Sequence, residues 1–201
     1  MFPLYDEDSY SRFSLITAIL IFVNTFIFFF SLRNPIYIIE KYALLPKDFL
    51  AFKNVYTVFT AMFLHGNIWH LLGNMWFLWV FGNSLEKGLG KIKYLFFYLI
   101  CGIIAGGIYC FITQEKTIPL IGASGAISGI LGGYFVLYPR HKIRTLFPLF
   151  FIVTVVSLPA IIFLIFWILF QILYPEPGVA ILAHLIGFFS GAILVNLFKK
   201  R

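Results

Sequence analysis

Residues 120–138 have the sequence LIGASGAISGILGGYFVLY, in which no side chain is charged. A helix that spans a lipid bilayer needs about 20 mostly apolar residues, and this stretch has nearly that length. Its small residues recur at helical spacing, since Gly125, Gly129 and Gly133 are four residues apart and Ser124 starts the neighbouring stripe. Such stripes let two membrane helices approach closely. The stretch is therefore predicted to be a spanning helix that packs tightly against another.

The rest of the chain has the composition of a membrane protein. Hydrophobic residues make up 61% and charged residues 11% of the sequence, whereas soluble domains have roughly 45–50% apolar and about 25% charged residues. The net charge of +7 raises the question of nucleic-acid binding. The basic residues lie in short clusters between apolar runs and form no continuous basic face, so we expect no nucleic acid as a partner. The expected surroundings are the lipid bilayer.

Five further stretches are apolar enough to be considered as spans. We predict an all-α, polytopic membrane protein that forms one domain over residues 1–201. Its six transmembrane helices are placed at residues 13–32, 68–82, 94–112, 120–138, 146–173 and 178–198. Pro159 is expected to kink the fifth helix. The long first loop, residues 33–56, is half apolar and is predicted to lie at the membrane interface.

The loop charges predict an orientation. If both termini are cytoplasmic, ten of the fifteen Lys and Arg residues lie on the cytoplasmic side and five lie outside. Cytoplasmic loops of membrane proteins carry an excess of basic residues. We therefore predict a multi-pass protein of the plasma (inner) membrane with both termini in the cytoplasm.

Polar residues concentrate in the second, fourth and sixth predicted spans, which all run in the same direction. Ser124 and His184 each lie about five residues past the start of their span, which places them about 8 Å below the outer surface. His70 and Asn74 fall at a similar depth. Polar side chains inside a membrane are costly and usually mark function. The sequence therefore predicts one polar site in this layer.

The residue types at this depth suit acyl transfer. A serine hydroxyl becomes a good nucleophile when a base takes its proton, and an imidazole is a suitable base near neutral pH. We assign Ser124 as nucleophile and His184 as general base. His70, Asn74 and the Ser124 backbone N–H are assigned to stabilise the oxyanion. Because no Asp or Glu lies within the predicted spans, the expected catalytic unit is a Ser–His dyad.

These residues also have other interpretations. Small-residue stripes are common in membrane helices and can serve packing alone. A haem or metal held by His65, His70 and His184 would lack a carboxylate partner in the spans, so neither a metal nor a cofactor is expected. His65 is interpreted as a structural hydrogen-bonding residue, and His141 as a solvated residue of a basic loop.

Three motifs resemble those of the rhomboid family of intramembrane serine proteases, and the similarity covers about residues 55–201. The motifs are HGNIWHLLGN at residues 65–74, GASG at residues 122–125 and AHLIG at residues 183–187. A single G-x-S-G motif is weak, whereas the three motifs in order on alternate spans are highly specific.

The resemblance implies a six-helix bundle with a water-filled cavity open to the outside. It implies cleavage of peptide bonds in or near transmembrane segments of other membrane proteins. Ser124 would be nucleophile, His184 base, and His70 with Asn74 the oxyanion donors, without a metal or cofactor. A second hypothesis is a catalytically inactive relative that binds transmembrane helices.

Two positions depart from the family pattern. Many members carry Trp-Arg just before the second span, where this chain has Tyr56-Thr57. Many also have an aromatic residue one turn after the nucleophile that packs under the base, where this chain has Ser128. The first departure concerns the anchoring of the loop, and the second concerns the support of His184.

The fifth predicted span lacks glycine and is rich in aromatic residues. Without glycine it cannot join the close helix contacts expected of the fourth and sixth spans. We therefore predict that it is the loosest helix and the gate for a substrate entering from lipid. Trimming Phe166 and Trp167 at its outer end is expected to raise cleavage of transmembrane substrates.

Overall fold

The computed structural model describes residues 2–8, 13–149, 152–174 and 180–199, and most of them are helical. A 3₁₀ turn covers Ala61–Phe63. In chain order the other elements are β1 (Phe2–Asp6), α1 (Leu15–Ser31), α2 (Pro35–Tyr42), α3 (Pro46–Leu50), α4 (Thr57–Thr60), α5 (Ile68–Leu89), α6 (Lys91–Ile112), α7 (Ser124–Leu137), β2 (Lys142–Leu149), β3 (Ile152–Pro159), α8 (Ala160–Leu173) and α9 (Ile181–Phe198).

Most predicted spans coincide with a helix, although their bounds differ. Helix α5 continues to Leu89 instead of ending at residue 82, and α7 begins only at Ser124 instead of residue 120. Among the described helices, α6 and α9 are long and apolar enough to cross a membrane, while α1, α7 and α8 are apolar but shorter. Residues 150–151 and 178–179 of the predicted fifth and sixth spans lie outside the described residues.

The prediction of an all-α fold was wrong for residues 142–149 and 152–159. Strands β2 and β3 form an antiparallel hairpin with the register Lys142↔Pro159 to Leu149↔Ile152, and β1 pairs with the other edge of β2. This segment is rich in β-branched residues, which favour strands because they pack well on a pleated surface. Its apolar character had suggested a helix, but the helical part of the predicted fifth span starts at Ala160.

Pro159 has a different role from the kink expected of it. It is the residue directly before α8, with a φ of −53° and a ψ of 138°. A proline inside a helix removes a backbone hydrogen bond and clashes with the preceding turn, but a proline at a helix start does neither. The hairpin therefore ends and α8 begins at this proline.

Helices α7 and α9 pack with their backbones in contact, which confirms the close approach predicted from the small-residue stripes. A Cβ atom added to Gly132 would lie 2.8 Å from the Phe188 carbonyl carbon. One added to Gly187 would lie 3.1 Å from the Gly125 carbonyl carbon, and one added to Gly191 only 2.6 Å from that of Gly129. Real Cβ atoms do not approach backbone this closely, so glycine at these positions sets the distance between the two helices.

A buried carboxylate of α5 holds the start of α1. Glu86 is 4% exposed. It accepts hydrogen bonds from the backbone N–H groups of Ile16 and Thr17 at 3.0 and 2.8 Å, and from the Thr17 hydroxyl at 2.9 Å. The first N–H groups of a helix have no acceptor within the helix, and an anion there also interacts favourably with the helix dipole. Glu86 thus caps α1 and ties it to α5.

The N-terminal strand is anchored near the same end of α5. The Asp6 carboxylate is buried and accepts hydrogen bonds from the Tyr134 hydroxyl, at 2.6 Å, and from the Ser84 hydroxyl. Its Oδ2 atom also lies 3.4 Å from Nδ1 of His141. The expectation that His141 is merely solvated was therefore wrong, because the loop after α7 folds back onto Asp6.

Candidate active site

Ser124 is the first residue of α7, and the chain before it is held by backbone hydrogen bonds. Leu120 exchanges hydrogen bonds with Leu44 in both directions, and the Gly122 N–H donates to the Ala61 carbonyl at 2.9 Å. These contacts keep residues 120–122 out of the helix. Because α7 begins at Ser124, the Ser124 N–H has no acceptor within the helix and remains available to a ligand.

Gly122 lets the His70 imidazole approach Ser124. Its φ is +122°, a conformation that residues with a side chain rarely adopt. A Cβ atom added to Gly122 would lie 2.8 Å from both Cε1 and Nε2 of His70 and 3.7 Å from Oγ of Ser124. The imidazole and the serine hydroxyl therefore both lie close to this glycine, and a side chain there would displace the ring.

His70 and Asn74 lie one turn apart in the first turns of α5. Asn67 caps this helix, since its side-chain oxygen accepts from the His70 N–H at 2.9 Å. Asn74 is 8% exposed, and its Nδ2 atom has no hydrogen-bond partner among the described residues. Buried polar groups are nearly always hydrogen-bonded, so the unpaired Asn74 amide is a candidate donor to a bound ligand or water molecule.

His184 lies in the first turns of α9 and is half-buried. Its Nδ1 atom lies 2.5 Å from Oε1 of Gln171, and its ring packs against the Trp167 indole with 6.3 Å between ring centroids. A Cβ atom added to Gly125 would lie 3.9 Å from the Ala183 carbonyl oxygen. The residues next to Ser124 and His184 thus face each other across the α7–α9 contact. Within the described part of the chain, the Ser124 hydroxyl itself has no hydrogen-bond partner.

The sequence reasoning missed Gln171 and Trp167 as residues of the site. A signal for Gln171 was present, because it is a lone amide in an otherwise apolar helix, and polar residues in membrane helices usually have a specific partner. Trp167 gave no such signal, since aromatic residues are frequent in this segment.

Among the described residues, His65, His70 and His184 do not bring three possible ligand atoms within 4.8 Å of one another. The His65 and His70 rings meet edge to face, 5.1 Å apart, while His184 lies on another helix with Gln171 as its partner. Of the residues that the structure describes, the set that brings three possible ligand atoms within 4.8 Å is Asp6, Asp8 and His141. That set includes neither Ser124 nor His184, and the Asp6 carboxylate already accepts two hydroxyl hydrogen bonds.

Comparison with known proteins identifies the family. The family model of the rhomboid domain matches residues 53–201. The chain belongs to the rhomboid family. It is therefore an integral membrane protein, as the composition and the apolar helices α6 and α9 had indicated.

Several curated rhomboid proteins are similar to this chain over part of its length. Rhomboid protein 1, mitochondrial, of Saccharomyces cerevisiae is 36% identical over 109 residues, which are 52% of this chain and 31% of the yeast protein. The putative rhomboid protease YdcA of Bacillus subtilis is 29% identical over 143 residues, 71% of this chain and 66% of that protein. The presenilin-associated rhomboid-like protein, mitochondrial, of Bos taurus is 31% identical over 105 residues, 51% of this chain and 28% of the bovine protein. The matches thus span less than two thirds of these relatives.

Proposed function

We propose that this rhomboid protein is an intramembrane serine endopeptidase that cleaves peptide bonds in or near transmembrane segments of other membrane proteins. The observation that carries the proposal is the grouping around Gly122. A serine at a helix start, the His70 imidazole and the unpaired Asn74 amide lie on neighbouring elements, next to the backbone contact that brings α9 and His184 close. Acyl transfer requires such groups: a nucleophile, a base and donors to the oxyanion.

In the proposed reaction, His184 takes the proton of the Ser124 hydroxyl as the oxygen attacks the scissile carbonyl carbon. The carbonyl oxygen becomes an oxyanion, and the free Ser124 N–H, the Asn74 amide and the His70 imidazole donate hydrogen bonds to it. His184 then gives its proton to the leaving amine. A water molecule, activated by the same imidazole, hydrolyses the acyl-enzyme and regenerates Ser124.

The proposed orientation keeps both termini in the cytoplasm of a plasma (inner) membrane. The anchoring of β1 supports placing the N-terminus, the C-terminal end of α5 and the loop after α7 on one side, because Asp6, Ser84 and His141 meet there. Ser124 and His70 lie at the opposite ends of α7 and α5 and would face outside. Two of the similar proteins carry mitochondrial names, so fractionation with a tagged chain is the direct check of the compartment.

The proposal is tested with the purified protein in proteoliposomes that also contain a panel of single-span substrates. Product termini are identified by mass spectrometry, and a fluorophosphonate probe reports covalent labelling of the nucleophile. Cleavage in or near the span, together with labelling that is lost in Ser124→Ala, supports an active protease. If cleavage and labelling both persist in EDTA, no metal takes part in the reaction. Binding of the substrates without cleavage or labelling would instead support the inactive, helix-binding relative.

Removal of one oxyanion donor is expected to slow turnover without ending it. His70→Ala and Asn74→Ala should each reduce kcat by about 10²–10³-fold, because the remaining donors still act. Gly73→Ala is the matched control, since it lies between the two on α5 and an added Cβ meets nothing within 4 Å. Unchanged turnover in both donor variants would remove His70 and Asn74 from the oxyanion site.

A further inference from the structure

Two side chains of α8 contact the imidazole of His184. Gln171 places Oε1 at 2.5 Å from Nδ1, and Trp167 lies nearly parallel to the ring, with an interplanar angle of 26°. Residues four apart share one face of a helix, so α8 presents both groups together. Trp167 is itself fixed by Phe77 of α5 and Phe188 of α9, whose rings lie 6.3 and 6.4 Å away.

The Gln171 contact determines which ring nitrogen can act as a base. A carbonyl oxygen only accepts hydrogen bonds, so the proton of the neutral imidazole must be on Nδ1, where it is donated to Oε1. Nε2 then carries the free lone pair and is left as the nitrogen that can take a proton from a serine. In neutral imidazoles, the hydrogen bond of one nitrogen sets the state of the other.

An amide suits this role inside a membrane better than a carboxylate does. A charged Asp within a membrane helix is costly on insertion scales, whereas an amide carries no charge. Amides orient the catalytic imidazole in the Cys-His-Asn arrangement of papain-like proteases. The absence of an acidic residue from the predicted spans therefore does not leave His184 without an orienting partner.

The aromatic ring that packs against His184 comes from Trp167 of α8, and α7 provides no such ring. The position one turn after Ser124 is Ser128, which is 1% exposed and packs against the backbone of Gly187. A serine cannot support an imidazole by ring packing. The Trp167 indole of α8 packs against the imidazole instead.

We propose that Gln171 and Trp167 are positioning residues for His184, so that the catalytic unit is Ser124–His184–Gln171 and its third member comes from α8. This proposal rests on the proposed protease function. In this arrangement the position of the His184 imidazole depends on α8. A displacement of that helix removes both the hydrogen-bond acceptor and the aromatic ring that hold the imidazole.

The first test compares an acceptor with a non-acceptor at position 171. Gln171→Leu removes the oxygen and should lower kcat by about 10–100-fold, a share of the roughly 10²–10⁴ that a positioned general base contributes. KM should stay unchanged, because Gln171 orients the base and does not bind substrate. Gln171→Glu keeps an acceptor oxygen and should restore most of the lost turnover. Ile172→Ala is the control, because its side chain is 50% exposed on the next position of α8.

The second test is the protonation of the ring itself. In ¹⁵N-histidine spectra, with the His184 signals identified by their loss in His184→Ala, wild-type protein should show a protonated Nδ1 and a bare Nε2. Gln171→Leu should give a mixture of the two tautomers, which a purely structural role of Gln171 would not produce. A protonated Nε2 in the wild type overturns the proposal, even if Gln171→Leu does not fold.

The outcomes separate this proposal from the function on which it rests. If wild-type protein cleaves its substrate and Gln171→Leu has the same kcat, Gln171 does not position the base and the protease function stands. If wild-type protein neither cleaves nor reacts with the fluorophosphonate probe, the protease function fails, while the ¹⁵N spectrum still decides whether Gln171 sets the tautomer of His184.

Discussion

Cleavage of a transmembrane substrate is expected to fall below detection when either Ser124 or His184 is replaced by alanine. In serine proteases, loss of the nucleophile or of the base lowers kcat by about 10⁶-fold, because neither residue activates the reaction without the other. The double variant should therefore be no less active than either single variant. The measurement is kcat in proteoliposomes, with thermal unfolding in detergent to show that each variant still folds.

Ser128→Ala is the matched control for this prediction. It makes the same substitution one turn along α7, at a buried serine whose Cβ atom packs against α9 and is retained by alanine. It should cleave at nearly the wild-type rate. A Ser124→Ala protein that cleaves as fast as wild type, or a Ser128→Ala protein that is inactive while Ser124→Ala is active, would place the nucleophile elsewhere.

The parts of the site that were predictable from the sequence depend on local spacing. His70 and Asn74 are four apart on one helix, and the glycines of α7 and α9 recur every four residues, so their faces could be derived from helix geometry. The structure confirms the resulting contact between α7 and α9. The chemical roles of Ser124, His184, His70 and Asn74 remain predictions.

The three-stranded sheet could not be predicted in the same way. An apolar run is compatible with a buried helix or with strands, and hydropathy alone does not distinguish them. The pairing of β2 with β1 joins Leu146 to Phe2, which are far apart in the sequence. Such a contact depends on how the whole chain folds, and no local sequence pattern predicts it.

The predicted gate helix shows how a packing contact changes the interpretation of a residue. The outward aromatic residues of α8 include Phe166 and Phe170, which are 51% and 58% exposed, as a lipid-facing gate would require. Trp167 instead packs against His184. Trimming Phe166 remains a test of the gate, whereas trimming Trp167 would also disturb the His184 ring. The sequence did not distinguish Phe166 from Trp167, because both are large aromatic residues of one apolar helix.

The second large effect is expected at the contact between α7 and α9. Gly191→Ala adds a Cβ atom that would lie 2.6 Å from the Gly129 carbonyl carbon and 2.7 Å from its Cα atom. Overpacking of this kind costs typically 1–3 kcal/mol, and more where only backbone can yield. The gain in helix propensity from glycine to alanine is about 1 kcal/mol and does not offset it. We therefore expect a lower unfolding temperature in detergent.

The same substitution should also reduce turnover, because it separates the helices that carry Ser124 and His184. A displacement of about 1 Å at a catalytic group can lower the rate by about 10²-fold. Gly107→Ala in α6 is the matched control, since an added Cβ there has an ordinary contact of 3.9 Å with Phe49. This control should be as stable as wild type or slightly more stable, because it gains helix propensity without a clash. If Gly191→Ala lowers the stability and Gly107→Ala raises it, backbone contact at α9 holds the two helices in place. Equal stabilities of the two variants would contradict this role of the contact.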